Sequence, residues 1–190
     1  MSTRRQDFAE PIETGRVRLR AVQPEDASAI ARLMTSTVSR WLASWPYPLT
    51  EEAARELIVR WRTAVAERRA FQRVVERQSD AMPMGWISVS REEADPRRGG
   101  MGYWLNEAFQ GQGYMAEAAT VAVEAAFNIL DLDVIEAGAQ CENAASFAIM
   151  RRLGMTPAQE KMVWASTRNR DEVCLFYEVT RDAFSRRGAM

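Results

Sequence analysis

The sequence predicts a mixed α/β (α+β) fold, a largely antiparallel sheet of six to seven strands flanked by about four helices. Three strand-like runs, at 70–76, 84–91 and 101–105, follow one another so closely that short turns must join them. Strands joined that way pair antiparallel. An alanine-rich stretch over 114–130 has the 3.6-residue period of a helix, and strand-like and helical runs then alternate to the end of the chain.

The elements follow in order. Residues 16–22 alternate arginine outward with Val17 and Leu19 inward, the period of a half-buried strand. Pro24 opens a helix to about Met34. Thr50 caps a longer helix to about Arg68, with Glu51 and Glu52 in the first turn where the helix dipole favours them. Between these helices, residues 40–48 are aromatic and bounded by proline, so the backbone there is a fixed loop. It is either a lid over a substrate site or plain packing in which Trp41 and Trp45 close the bottom of the core. The 95–100 segment, Asp-Pro-Arg-Arg-Gly-Gly, reads as the turn between two strands. The helix over 114–130 is expected to bury Met115, Ala119, Ala122, Ala126 and Leu130. A strand at 134–140, a helix at 143–153 and strands near 159–165 and 172–180 complete the chain.

Composition bounds the function. At 190 residues the chain is expected to form one domain, its core at about 14–182 with short polar tails. Lys plus Arg number 25 and Asp plus Glu 26, so a net charge of −1 gives no general pull toward nucleic acid or anionic membrane. The first seven residues hold no apolar signal core, and no 18-residue apolar run occurs, so a cytoplasmic protein is expected. Cys141 and Cys174 match neither a metal spacing nor a disulfide framework and are expected as free, buried thiols. There is no histidine. That excludes Ser-His-Asp and Cys-His chemistry and most zinc enzymes, and no metal site is expected.

The most informative segment runs from Leu105 to Ala116. A strand leads into Gly111 and Gly113, and a helix follows at once. The first backbone N–H groups of a helix have no internal acceptor, and with the dipole they attract an anion such as a phosphate. Glycines there let a phosphate approach the backbone. A capping turn without a ligand is the plainer alternative. No Gly-Lys-Ser/Thr follows, so this is not a P-loop. Gly111-x-Gly113-x-x-Ala116 fits the dinucleotide glycine pattern, but the next strand ends in Ala139 and Gln140, without the acid that would hold a ribose.

The segment resembles the pyrophosphate loop of the GNAT superfamily of acyl-CoA-dependent N-acyltransferases. Leu105, four residues, Gln110, two residues and Gly113 match in register, while Met115 departs from the usual Gly or Ala. Gln-Gly-Gln-Gly-Tyr-Met is similar to the RimJ/RimL-type branch, which acetylates N-termini of ribosomal proteins. Residues 16–22 with Pro24-Glu-Asp26, and Asn143-Ala-Ala-Ser146 with Leu153-Gly154-Met155, resemble that branch's first strand and helix and its Asn-x-x-Ser…Leu-Gly-Phe segment.

The resemblance implies acetyl-CoA as cosubstrate and direct attack by an amine in a ternary complex. It assigns cofactor binding to Trp104, Leu105, Gln110, Gly111, Gln112, Gly113, Tyr114, Met115, Ala116 and Asn143. Ser146 would protonate or stabilise the departing thiolate. By sequence alone Asn143 fits a helix N-cap equally well, and Ser146 an ordinary helix-face serine. The general base stays open among Glu136, Glu92, Glu93 and water, with a solvated surface position expected for each carboxylate. An α-amine with pKa near 8 is about a tenth neutral at pH 7, a lysine amine under about 0.1%. An acceptor α-amine, on a protein N-terminus or a small molecule, is therefore favoured. The other function in view is a CoA-binding module without turnover, serving as a sensor. A monomer or homodimer is expected, with no direct nucleic-acid or membrane partner.

Overall fold

Val17 and Leu19 are fully buried while Arg18 between them reaches solvent, so the first predicted strand forms as β2 (Val17–Ala21), preceded by a two-residue β1 (Ile12–Glu13). The computed structural model describes residues 10–187. The polar stretch at 1–7 lies outside the described residues. After a 3-10 turn at Pro24–Asp26 come α1 (Ala27–Leu33), α2 (Ser36–Ser39) and α3 (Glu51–Ala66). Thr50 caps α3 as expected, its hydroxyl accepting from Ala53 N–H at 3.1 Å. Then follow β3 (Ala70–Arg77), β4 (Met82–Arg91), β5 (Arg98–Leu105), α4 (Tyr114–Ile129), β6 (Val134–Gln140), α5 (Ala144–Arg152), β7 (Thr156–Ala165), β8 (Arg170–Thr180) and α6 (Arg181–Arg187).

The strands form one sheet in the order β1-β2-β3-β4-β5-β6-β8-β7. Every pair is antiparallel except β5–β6. Among the described residues, eight strands and six helices exceed the expected six to seven and four. The additions, β1, α2 and α6, span at most seven residues each, too short for hydrophobic periodicity to register. Several boundaries shift by a few residues, and one shift changes a reading. Arg98, Gly99 and Gly100, expected in a turn, open β5, with Gly99 facing Arg91 on one side and Ile135 on the other. A Cβ at Gly99 would lie 2.6 Å from Leu132 Cδ1, so this glycine marks close packing and not a bend.

Two apolar layers sandwich the sheet. On one face α4 lays Ala118, Ala119, Ala122 and Ala126, all fully buried, against a cluster that includes Phe71, Val75, Ile87 and Val89. On the other face Ile30, Met34 and Ile58 of α1, its C-cap and α3 pack around a tryptophan cluster. Trp45 sits at its centre, with ring centroids 5.3 Å from Trp61, 5.3 Å from Trp86 and 5.1 Å from Trp104. Tilted and edge-on pairs at this spacing suit the aromatic quadrupole and add to the area buried. Trp45 is therefore core.

Arg20 anchors the turn between β2 and α1. Its guanidinium donates to both Asp26 oxygens at 2.8 Å and to Glu76 at 2.5 Å, and Asp26 also accepts from Gln23 N–H at 2.7 Å. The Pro24-Glu-Asp26 signal thus has its physical basis in a half-buried ionic knot.

Gly85 faces Leu105 across the β4–β5 ladder, where a Cβ would lie 2.1 Å from the Trp104 carbonyl oxygen and 2.9 Å from Leu105 Cα. Backbone atoms cannot swing aside as a side chain can. Gly85→Ala is expected to lower stability by about 1–3 kcal/mol or more. Urea denaturation with a midpoint equal to wild type would show that these strands separate freely.

Candidate active site

Parallel pairing of β5 with β6 covers only Arg98–Gly100 against Val134–Glu136. Beyond Gly100 the strands part, and a cavity of about 590 Å³ opens in the gap. It runs from the N-terminus of α4 to the loop between α2 and α3.

At the first end, the chain leaves β5 through a 3-10 turn at Glu107–Phe109, whose cap Asn106 accepts from Ala108 N–H at 3.1 Å. Gly111 (φ +73°) and Gly113 (φ +82°) then take left-handed conformations that side-chain-bearing residues adopt only at a cost. Gly113 is the N-cap of α4, and its carbonyl accepts the first helical bond, from Glu117. Helix geometry leaves the N–H groups of Tyr114, Met115 and Ala116 without intrahelical acceptors, at the positive end of the dipole. A Cβ at Gly111 would meet no protein atom within 4 Å, so the space before the helix is open.

Of the predicted site residues, all but Gln112 line the cavity. Gln112 instead braces the loop: its Nε2 donates to the Ala108 carbonyl at 2.9 Å and its own carbonyl accepts from Arg16 at 3.0 Å. Gln110 does similar work, donating to the Leu105 carbonyl at 2.7 Å and so tying the loop to the end of β5. Asn143 caps α5, its Oδ1 accepting from Ser146 N–H at 3.1 Å. Both therefore border the cavity while holding local backbone. Trp104 and Leu105 are nearly buried and belong at once to the core and to the cavity wall.

One residue escaped the sequence reading. Tyr103 donates its hydroxyl to the Ser146 carbonyl at 3.2 Å, stitching β5 to α5 across the gap. Burial pushes its phenol up to about 12, so it stays a donor throughout the physiological range. The alternation of Met101, Tyr103 and Leu105 along β5 already marked its face.

The carboxylates do not stand where a base was sought. Glu136 is buried and held by Lys161 Nζ at 2.6 Å and Arg98 at 3.4 Å, so its expected solvated position is corrected. It shares a face of β6 with the wall residues Gly138 and Gln140, but it stands level with Gly100 in the last paired step, before the gap opens. Glu92 sits 3.9 Å from Arg98, Glu93 is exposed, and neither lines the cavity. Among the described residues, no side chain on the cavity wall carries a formal charge. Nor does any group of three or more His, Cys, Asp or Glu stand close enough to hold a metal.

The packing reading of the aromatic loop holds for Trp45. Trp45 is core, as described above, but it also reaches the cavity wall with Trp41, while Tyr47 is exposed. Both cysteines are free. Cys174 is buried as expected, and desolvation raises its thiol pKa; Cys141 is exposed, because it follows the last residue of β6 in a turn. No helix among the described residues is long and apolar enough to cross a membrane.

Residues 16–156 match the acetyltransferase (GNAT) domain family, about three quarters of the chain and every motif discussed above. The chain belongs to the GNAT acetyltransferase family. Its members are N-acetyltransferases that take the acyl group from acetyl-CoA. YdaF of Bacillus subtilis (strain 168), which carries the name of a ribosomal N-acetyltransferase, is 27% identical over 142 residues, spanning 73% of this chain and 76% of the relative. Among solved structures, a ribosomal-protein alanine acetyltransferase of Vibrio fischeri superposes with a TM-score of 0.80 at 21% identity, covering 91% of this chain and 97% of that one. RimJ of Mycobacterium smegmatis, solved with a CoA disulfide, gives 0.78 at 20% identity and coverages of 91% and 88%. RimL, named as a ribosomal alpha-N-protein acetyltransferase and solved with coenzyme A, gives 0.79 at 22% identity and coverages of 92% and 99%. The GNAT fold and the RimJ/RimL resemblance are thus borne out.

Proposed function

We propose that this acetyltransferase acts on a neutral primary amine, preferably the α-amino group of a protein N-terminus or a small molecule. One observation carries the reading: among the described residues, the cavity wall holds no charged side chain. An ammonium ion entering it would lose hydration and find no carboxylate, so burial favours the neutral amine. An α-amine meets that demand far more readily than a lysine amine. The relatives named for ribosomal N-acetylation support a protein N-terminus as the acceptor.

Acetyl-CoA supplies an activated thioester carbonyl. The N–H groups of Tyr114, Met115 and Ala116, with the open backbone at Gly111 and Gly113, hold its pyrophosphate. Asn143 and Ser146 flank the pantetheine arm, and the Ser146 hydroxyl donates to the departing thiolate. The acceptor enters from the tryptophan side of the gap between β5 and β6. Its proton leaves to water, since no wall residue accepts it.

Gly113→Asp strains a left-handed position and brings negative charge to the phosphate site. Calorimetry is expected to find CoA binding abolished; wild-type affinity in this variant would overturn the donor site.

Ser146→Ala is expected to slow single-turnover transfer by up to about 10²-fold, the low end for general-acid roles because water can fill the space, with CoA affinity unchanged. Equal single-turnover rates would return Ser146 to an ordinary helix face.

Matched peptides with free or acetylated N-termini, each carrying one lysine, test the acceptor. Only the free N-terminus should turn over. Its kcat/KM should rise about tenfold per pH unit up to about pH 8, following the amine itself. Equal turnover of the blocked peptide would overturn the α-amine assignment.

A further inference from the structure

Gln140 ends β6 and lies on the cavity wall where β5 and β6 have parted. Its Nε2 donates to Glu172 at 2.9 Å. The other end of the amide, Oε1, is shielded from solvent and has no hydrogen-bond partner among the described residues. A shielded carbonyl without a donor is unfavourable, and native structures rarely leave one without a reason.

The amide is held that way round by an acceptor-only neighbour. Arg168 forks onto both Glu172 oxygens at 2.7 and 2.6 Å, and Arg170 adds a bond at 2.9 Å. These partners, Arg168 foremost, hold the Glu172 carboxyl at about 2, so it is ionised at every working pH. An ionised carboxylate has no hydrogen to give. Gln140 must therefore offer it the NH₂ and turn the carbonyl away. The same Arg168 donates to the carbonyls of Ser39 and Leu42 at 3.3 and 3.1 Å, and Ser166 donates to Ala43 at 3.3 Å. The turn between β7 and β8 is thereby stapled to the loop that carries Trp41. Around Gln140 this end of the cavity is largely apolar, with Trp41, Trp86, Trp104 and Gly138 on its wall.

We propose that Gln140 binds the acceptor: a small turn of the side chain brings its shielded Oε1 to the cavity, where it takes a hydrogen bond from an N–H of the incoming amine, while Glu172 and Arg168 are positioning residues that keep the NH₂ end engaged and the carbonyl turned from the carboxylate. This rests on the amine-transfer reading above and adds the group that aims the nucleophile. A neutral primary amine has two N–H bonds and one lone pair. Giving one N–H to Gln140 fixes the nitrogen and leaves the lone pair to face the thioester carbonyl.

The test uses the whole protein, acetyl-CoA and a peptide with a free N-terminal alanine. Gln140→Met keeps the side-chain length and removes the carbonyl. Its kcat/KM for the peptide should fall about fivefold to 100-fold, mainly through KM, with CoA affinity by calorimetry unchanged. Glu172→Gln keeps the size but can donate as well as accept, so the Gln140 amide is free to turn over. A smaller loss in the same parameter is expected, which also covers a Gln140 variant that fails to fold. A kcat/KM within twofold of wild type in folded Gln140→Met overturns the assignment while the amine-transfer reading stands. Equal losses in CoA and peptide affinity overturn it as well, making Gln140 a wall support. If the wild-type protein transfers nothing to the peptide or to a small primary amine, the proposed function falls and this assignment with it.

Discussion

Parallel strands bond evenly along their length unless something stops them, and here β5 and β6 stop after three residue pairs. The site depends on that interruption. Each strand keeps a partner on its far side, β5 with β4 and β6 with β8, so the sheet survives the gap. The alanine stripe of α4 presses on the sheet beside the gap, and its N-terminus points at the opening. The α4 end and the tryptophan end are thus two ends of one slot, beside apolar layers on opposite faces of a single sheet. Tyr103 spans the slot from β5 to α5 and sets its width where Ser146 lies.

Charge is kept out of the slot and neutralised beside it. Glu136 is matched by Lys161 and Arg98, which also holds Glu178 at 2.7 Å, and Glu172 is matched by Arg168 and Arg170. Buried or half-buried ions need such partners, because an unpaired charge there would be costly. The pairs leave the wall uncharged, and transfer to a neutral amine suits such a wall. A near-zero net charge in the composition said nothing of this. The cancellation is local and spatial.

Much of the fold could be read in advance because periodicity and caps are local. Thr50 caps α3, Val134–Gln140 is a strand at both its expected ends, and the α4 alanines face the core where spacing put them. The misses have physical causes. Gly99 and Gly100 look like a turn in sequence, yet packing against Leu132 demands glycine at the first of them. The capping role of Asn143 was legible only as an alternative, since one amide serves a backbone or a ligand with the same residue type, and the brace from Gln110 to Leu105 was not foreseen. The partners of Glu136 come from β5 and β7, 38 and 25 residues away, and only the folded sheet brings them together.

The tryptophans have a consequence for how the protein can be observed. Of the six in the chain, Trp41, Trp45, Trp86 and Trp104 lie on the cavity wall, and three of these touch ring to ring. Rings so close share excitation, and the emission of the group responds to what stands beside it. The chain therefore carries a built-in optical reporter of occupancy, concentrated at the tryptophan end of the cavity. Filling that end would change intrinsic fluorescence without any label, and Trp164, exposed on the edge strand, would supply the water-facing background against which the change is seen.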